Sequence, residues 1–347
     1  MQISKFLVGL FFLGGVALLG GMIWQVGTAG FLTSVQALGL WVGPFVLLDT
    51  IPVFLHTAGW AACFQNTRHP IRLWQLYLVR LAGSAINQVT PTATIGGEVV
   101  KVLLLKPSLP REQAAASVVI DKSSITLAQI LYLALGTLYL TGHLSLPEEL
   151  RLSLSLAMGL ISLGLLIFVA SQRYGLLSRL VRGLSRLKIG QARLQRLSQR
   201  LMPLDTHLIA YYTTQPWRFV GSIVWHFLAF AFDGAKTYIL LRFLLGDQAP
   251  GFAHAVMVAV AVNALDQMFF FVPARLGTLE GIRFTVLSAL GVAQVYGLAF
   301  GLVSRLDALF WNGLGLLAYA LCTRLPLLPR LSQPATTAPS SGPPTAC

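Results

Sequence analysis

The sequence predicts an all-α polytopic integral membrane protein, with about six spanning helices, two oppositely oriented re-entrant hairpins and an inverted-repeat architecture. The first observation is composition: of 347 residues, 55% are hydrophobic and 11% are charged, and the mean hydropathy is +0.72. A soluble domain carries about 25% charged residues, so this chain has too few to cover a surface in water. The other two observations are the order of its apolar segments and the placement of its charges.

Six apolar segments reach the length of about 20 residues that a spanning helix needs. In chain order they cover 5–26, 38–62, 114–141, 151–171, 216–241 and 297–322. Two further segments, 73–106 and 252–291, are broken by Pro, Gly and charged residues, so each is expected to form two helices or a re-entrant hairpin. No small-residue cleavage site follows the first apolar segment, which we therefore interpret as an uncleaved span.

The positive charge of the chain is concentrated in the stretch 173–205. The chain has 25 Lys+Arg and 12 Asp+Glu, and this stretch holds eight of the basic residues with a single acid, Asp205. Because Lys and Arg accumulate on the cytoplasmic side, the stretch is predicted to be cytoplasmic. Counting spans from it places both termini there and gives the two hairpins opposite orientations. Its leucines recur at helical spacing, which indicates an interfacial helix, with a solvated basic linker as the alternative.

The motif P-x6-E-x2-[KR] occurs once in each half of the chain. Its members are Pro91, Glu98 and Lys101 in the first half and Pro273, Glu280 and Arg283 in the second. An aspartate, Asp49 or Asp233, precedes the proline by 42 or 40 residues. Matches this short also arise by chance, but opposite hairpin orientations are what an inverted repeat requires. The predicted organisation is one membrane domain over 1–330, with halves at about 38–141 and 216–322, the basic linker 173–205 and a disordered tail at 331–347.

The two hairpin turns combine residues that end helices with an acid that follows. These turn residues are Pro91, Gly96 and Gly97 in the first hairpin and Pro273 and Gly277 in the second. Such turns leave unpaired N–H groups at the start of the next half-helix, where an anion such as a lipid phosphate can bind. For Glu98 with Lys101, and for Glu280 with Arg283, the alternative is an ordinary i,i+3 ion pair.

Several ionisable residues fall within or at the ends of the predicted spans. They are Asp49, Asp121, Lys122, Asp233, Lys236, Asp266, Arg305 and Asp307. A charge at the bilayer centre costs about 2.5 kcal/mol or more, so such residues normally face a polar cavity or each other. Asp233 and Lys236 are one candidate i,i+3 pair. Arg80 either shares a cavity with Asn87, seven residues along the same helix face, or extends to the cytoplasmic interface.

The sequence offers no catalytic motif and no ligand set for a metal or cofactor. Its three cysteines lie far apart, and His56 and His226 have no further ligands near them in sequence. We therefore expect a protein that is not an enzyme and that holds neither a metal nor a cofactor.

Four runs of the sequence begin at Arg80 (RLAGSAINQVTPTATIGGE), at Ala116 (ASVVIDK), at Val272 (VPARLGTLE) and at Gly301 (GLVSRLDALFWNG). Together they resemble the lysylphosphatidylglycerol synthase transmembrane family, also called the flippase-like family. In known members this domain is similar to a lipid flippase and is fused to a soluble aminoacyltransferase. This chain is expected to lack that second domain, so the resemblance does not imply lipid aminoacylation. Lys122 stands where an arginine is common in the family, which keeps the charge but loses the bidentate fork.

The resemblance and the charge placement together predict a lipid translocase of the bacterial inner membrane. Its substrate would be a lipid with a polar headgroup, such as a phospholipid, a hopanoid or a polyprenyl-linked lipid. The expected headgroup site comprises Arg80, Asn87, Glu98, Lys101, Asp121, Lys122, Glu280, Arg283 and Arg305. The alternatives are a membrane enzyme with Glu98 or Glu280 as general base, or a subunit that docks a lipid-biosynthesis enzyme through 173–205. The expected partners are membrane lipids, and no nucleic acid is expected.

Overall fold

The computed structural model describes residues 42–65, 71–89, 95–143, 191–268, 277–325 and 327–329, together with isolated positions elsewhere. These residues form helices, with no strand among them. In chain order the helices are α1 Val42–Leu47, α2 Thr50–Ala62, α3 Leu73–Val89, α4 Ile95–Leu105, α5 Arg111–His143, α6 Gln191–Thr214, α7 Pro216–Leu245, α8 Phe252–Met268, α9 Thr278–Ala289 and α10 Gln294–Arg324. The predicted span 5–26, most of 151–190, Pro91, Pro273 and the tail lie outside the described residues.

Three helical stretches in the described part of the chain are long and apolar enough to cross a membrane. They are Val42–Ala62, Arg111–Tyr139 and Gln294–Arg324, and they coincide with three of the predicted spans. The predicted span at 216–241 lies in α7, which has 30 residues and a length of about 45 Å. The all-helical membrane fold predicted from composition is therefore confirmed.

Each of the two interrupted segments forms two helices, as its Pro, Gly and charged residues predicted. The first segment contains α3 and α4, and the second contains α8 and α9. Helix α4 packs closely against α3. The approach is so close that a Cβ added at Gly97 would lie 2.0 Å from the carbonyl oxygen of Gly83. Only glycine permits this approach of the two backbones.

The helices α2–α5 and α7–α10 form two halves with matching contacts. Helix α3 of the first half packs against α10 of the second, and α8 of the second half packs against α5 of the first. The equivalent helices α2 and α7 run antiparallel, since Asp49 at the start of α2 meets Lys236 while Cys63 at its end meets Ser222. An antiparallel pair of equivalent helices is the arrangement expected of an inverted repeat.

The described helices pack around three apolar cores. Trp60, Leu76 and Leu105 are buried in the first, and Leu241 and Leu287 in the second. Large apolar side chains also cover the outside of the helices, among them Ile95, Leu138 and Leu309. A surface of this kind suits contact with lipid rather than water.

Helix α6 contains the C-terminal part of the basic stretch 173–205, where the sequence predicted an interfacial helix. It packs against α5, with Leu208 and Tyr211 fully buried and the Tyr211 hydroxyl donating a hydrogen bond to the carbonyl oxygen of Ala62 at 3.0 Å. Burial raises the pKa of the Tyr211 phenol. Helix α6 thus continues from the basic stretch into the first core.

Candidate functional site

A polar cavity of about 470 Å³ lies between the two halves. Helices of both halves supply its walls, chiefly α2 and α3 on one side and α7, α8 and α10 on the other. Its charged lining residues are Asp49, Arg80, Asp233, Lys236, Asp266, Arg283 and Asp307. Its neutral polar lining includes Ser84, Gln88, Asn263, Ser304 and Asn312. Seven charged side chains in one cavity of an apolar helical protein make it the strongest candidate for a functional site.

Lys236 joins three helices at one end of this cavity. Its Nζ lies 2.5 Å from Oδ1 of Asp49 and 2.7 Å from Oδ2 of Asp307, and 4.6 Å above the ring of Phe45. The i,i+3 pair with Asp233 that the sequence suggested is not formed, because carboxylates from α10 and the start of α2 occupy the ammonium group. Among the described residues, Asp233 has no hydrogen-bond or ion-pair partner for its side chain and faces the cavity.

Arg283 is the basic residue of α9 at the cavity wall. Its guanidinium donates to both carboxylate oxygens of Asp266 at 3.1 Å each, and to Oγ of Ser304 at 3.0 Å. This is the bidentate geometry in which an arginine holds a carboxylate or a phosphate with the same pair of N–H groups. The alternative pair with Glu280 is therefore absent.

Glu280 and Arg305 form a bidentate pair beside the cavity. Arg305 Nε and Nη2 donate to the two carboxylate oxygens of Glu280 at 2.5 and 2.9 Å, and Glu280 is only 2% exposed. Neither side chain lines the cavity, so this pair joins α9 to α10 behind the wall.

Helices α3 and α4 of the first predicted hairpin hold Asn87, Glu98 and Lys101 in a separate cluster. Lys101 Nζ donates to Glu98 at 3.0 Å, which is the ordinary i,i+3 pair. Asn87 accepts the Gly97 N–H at 2.6 Å, and its amide nitrogen lies 3.5 Å from Glu98. The Gly97 N–H, one of the groups predicted to bind an anion, is thus already used by Asn87.

Arg80 lines the cavity and pairs with a buried acid behind it. Its Nη2 donates to Asp121 at 2.5 Å, and its guanidinium carbon lies 5.5 Å from the centroid of the Trp60 ring. With 6% of its surface exposed, Arg80 does not extend to the interface but lines the cavity, although it does not share the cavity with Asn87, which is not part of the lining.

The structure brings two of the nine predicted site residues, Arg80 and Arg283, to the cavity wall. Six others lie behind the wall or in the first hairpin, in the ion pairs described above. Lys122 is the exception, because it is exposed and is not part of the lining. The prediction that Lys122 belongs to the headgroup site is corrected for a simple reason: Lys122 follows Asp121 by one position, and adjacent helical residues point in different directions.

Other lining residues were not included in the predicted site. Asp49, Asp233, Lys236, Asp266 and Asp307 were noted only as charges within spans, and the neutral polar residues were missed. A usable signal exists on α3, where Arg80, Ser84 and Gln88 follow one another at i, i+4 and i+8. This spacing puts three polar groups on one helix face.

A second, apolar cavity of about 290 Å³ adjoins the polar one. It is lined by Val42, Pro44, Phe45, Leu48, Ile239, Leu240, Phe243 and Val303. Phe45 contributes to both cavities, so a polar and an apolar compartment meet at one aromatic ring.

Comparison with known proteins agrees with the membrane architecture. The model of the family described as "Lysylphosphatidylglycerol synthase TM region" matches residues 5–314. A UPF0104 membrane protein of Pyrococcus horikoshii is 21% identical over 280 residues, which are 77% of this chain and 82% of that protein. No solved structure matches the chain.

Proposed function

The chain belongs to the lysylphosphatidylglycerol synthase TM-region family of membrane proteins, and from this premise we propose that it moves a polar-headgroup lipid between the two leaflets of a membrane. The observation that carries the proposal is the charged cavity of about 470 Å³ between the two halves. Sites for small ligands usually measure about 300–1,000 Å³, so a lipid headgroup is of suitable size.

The need for such a cavity follows from the cost of charge in a bilayer. A headgroup that carries charge cannot cross the hydrocarbon region without groups that replace its hydration. Arg80, Lys236 and Arg283 offer N–H donors to a phosphate, and Asp233 offers a carboxylate to an amine. The hydrocarbon chains meanwhile remain in the apolar cavity beside Phe45 or in the bilayer.

Exchange of ion-pair partners provides a route for binding and release. Each basic residue of the lining is already held by a carboxylate, so an arriving phosphate competes with Asp266 for Arg283 and with Asp307 for Lys236. When the cavity is empty, these carboxylates pair with the basic residues, so no basic group of the lining is left without a counter-charge. When the headgroup leaves, the same ion pairs form again, which keeps the free-energy cost of release low. Rocking of one half against the other would expose the site to each leaflet in turn.

The direct test is a lipid translocation assay with purified protein in liposomes. Fluorescent lipids of several headgroup classes are offered, and a membrane-impermeant reductant bleaches only the probe that reaches the outer leaflet. We expect faster loss of inner-leaflet probe than in protein-free vesicles for at least one class, with the lipid recovered chemically unchanged. No acceleration for any class would contradict the proposal.

A pair of lysine variants tests the role of the cavity. We expect Lys236→Gln to slow translocation by about tenfold or more, since a charged hydrogen bond contributes about 1.5–3 kcal/mol. Lys122→Gln removes the same charge from an exposed position outside the lining and should leave the rate unchanged. Equal effects of the two substitutions would show that the cavity is not the site.

The proposed location is the bacterial inner membrane, with both termini in the cytoplasm. An impermeant thiol reagent tests this orientation in intact cells that express single-cysteine variants. We expect Ser145→Cys and Gln294→Cys to react from outside and Gln191→Cys to react only after the membrane is opened. Reaction of Gln294→Cys from the cytoplasm would contradict the predicted orientation of the second half.

A further inference from the structure

We propose that His56 and His226 form a proton-binding site, and that this pair takes up one proton when an anionic headgroup occupies the central cavity. The inference rests on the proposed function, because it supplies the coupling ion of the same translocase. The two histidines belong neither to the ion pairs of the cavity described above nor to the apolar cores, so their function is not yet explained.

The two imidazoles form a hydrogen-bonded pair across the contact between the halves. Nδ1 of His56 on α2 lies 2.8 Å from Nδ1 of His226 on α7. His226 is fully buried, and the absence of a side chain at Gly59 makes room for it: a Cβ there would lie 2.7 Å from the His226 ring. Phe230 packs edge-on against His56 at 5.2 Å.

This pair connects the cavity to a buried acid. His56 is part of the cavity lining. At the other end, Nε2 of His226 lies 3.2 Å from Oδ1 of Asp121, without the alignment of a hydrogen bond. Asp121 in turn binds Arg80, which also lines the cavity. A continuous chain of ionisable groups therefore begins and ends at the cavity wall.

Only one proton can lie between the two Nδ1 atoms. One ring therefore donates and the other accepts, and each neutral imidazole carries a single N–H. With His56 as the donor, its Nε2 has a free lone pair, and a proton arriving from the cavity binds there. The Nδ1 proton of His56 can then move to Nδ1 of His226. This leaves His56 neutral and places the imidazolium next to Asp121; release reverses both steps, and no other bond changes.

Burial disfavours a charge on the pair while the cavity is empty, since His226 is fully buried. The charged groups that act on both imidazoles come from three helices: Arg80 of α3, Lys101 of α4 and Asp121 of α5. Arg80 is balanced by Asp121 and Lys101 by Glu98, so the bound proton would add a buried positive charge without a counter-charge. A phosphate in the cavity beside His56 supplies that counter-charge. Lipid and proton therefore stabilise each other's binding, and by linkage the effect is reciprocal.

Transport of one proton with each anionic lipid has a measurable equilibrium signature. In vesicles with an imposed pH gradient, the labelled lipid should accumulate in the leaflet on the alkaline side, by about tenfold for each pH unit. The probe is the fluorescent anionic lipid that the wild-type protein moves, and protein-free vesicles correct for spontaneous transfer. His56→Asn and His226→Asn keep an amide at the Nδ1 position but bind no proton, so the lipid ratio should fall to one in both. His254→Asn, at an exposed position of α8, should behave as wild type.

A titration of the histidines decides the proton site independently of transport. In the full-length protein labelled with 15N-histidine, we expect the His56 and His226 resonances to titrate together, taking up one proton between them. Glycerol phosphate added as a soluble headgroup analogue should move this titration to higher pH. Histidines that titrate separately, or that ignore the phosphate, would overturn the inference, as would a wild-type lipid ratio of one under the gradient. If no lipid is moved at all, it is the proposed function that fails, and the titration alone decides the proton site.

Discussion

Helices α4 and α9 carry the same charge motif but use it differently. In α4, Glu98 accepts a hydrogen bond from Lys101 of the same helix at 3.0 Å. In α9, Glu280 does not pair with Arg283; it accepts hydrogen bonds from Arg305 of α10 with both carboxylate oxygens. The motif therefore determines which charges are present at the start of each half-helix, and the neighbouring helices determine which charges pair.

The two helices also pack against different neighbours. At Gly97, α4 approaches α3 so closely that a Cβ would lie 2.0 Å from the Gly83 carbonyl oxygen. Helix α9 makes its close approach to α10 instead, where a Cβ at Gly301 would lie 2.9 Å from Cα of Glu280. This approach brings Glu280 within reach of Arg305, one helical turn beyond Gly301.

The charges on the flanking helices are reversed between the halves. In the first half α3 supplies Arg80 and α5 supplies Asp121, and these two bind each other. In the second half α8 supplies Asp266 and α10 supplies Arg305, and each binds the opposite charge on α9. Ion pairs of the second half consequently connect three helices, α8, α9 and α10. The pair of Glu98 with Lys101 lies within α4 and connects that helix to no other.

The largest expected effect of breaking this arrangement is that of Glu280→Gln. The substitution removes the buried carboxylate that accepts two hydrogen bonds from Arg305, and we expect the free energy of unfolding to fall by about 3–5 kcal/mol. Thermal unfolding in detergent, followed by tryptophan fluorescence, measures the change.

A double variant serves as the control for this substitution. Glu280→Gln combined with Arg305→Gln removes both charges, so much of the lost stability should return. A Glu280→Gln protein as stable as wild type would show that the pair between α9 and α10 does not hold the second half together.

A smaller loss is expected from Gly97→Ala, which tests the close approach of α4 to α3. The added methyl group meets backbone rather than a flexible side chain, so the two helices must separate, at a cost of about 1–3 kcal/mol. Gly313→Ala is the matched control, since a Cβ there meets no atom within 4 Å. Equal unfolding temperatures for the two variants would argue against the α3–α4 contact.

The smallest effect is expected from Glu98→Gln. The glutamine can still accept a hydrogen bond from Lys101 and contact Asn87, and both groups belong to the same hairpin. Because Lys101 is buried and loses its carboxylate, we expect a loss of about 1.5 kcal/mol, the lower end for a hydrogen bond to a charged group. The unfolding free energies of Glu98→Gln and Glu280→Gln, measured under the same conditions, give the difference in stability between the two ion pairs. A larger loss than that of Glu280→Gln would reverse the comparison.

Much of the architecture could be predicted because it depends on local sequence. The breaks in 73–106 and 252–291 were visible as Pro, Gly and charge within apolar runs, and each segment indeed contains two helices. The i,i+3 pair of Glu98 with Lys101 was also predictable, since both residues lie on one helix face. The Lys122 prediction was less successful, because a charge within a span does not reveal the direction in which its helix faces.

The sequence by itself determined that this is a helical membrane protein whose rare charges fall within or at the ends of its apolar segments. Hydropathy and helix breaks are sums over neighbouring residues, so no tertiary contact is needed to evaluate them. Only the tertiary structure decided which charges meet. Lys236 binds Asp49, which is 187 positions away in sequence, and Asp307, which is 71 positions away. It does not bind Asp233, which lies one turn away on the same helix. Such pairs depend on how each helix is rotated and which neighbour it packs against, and no local pattern contains that information.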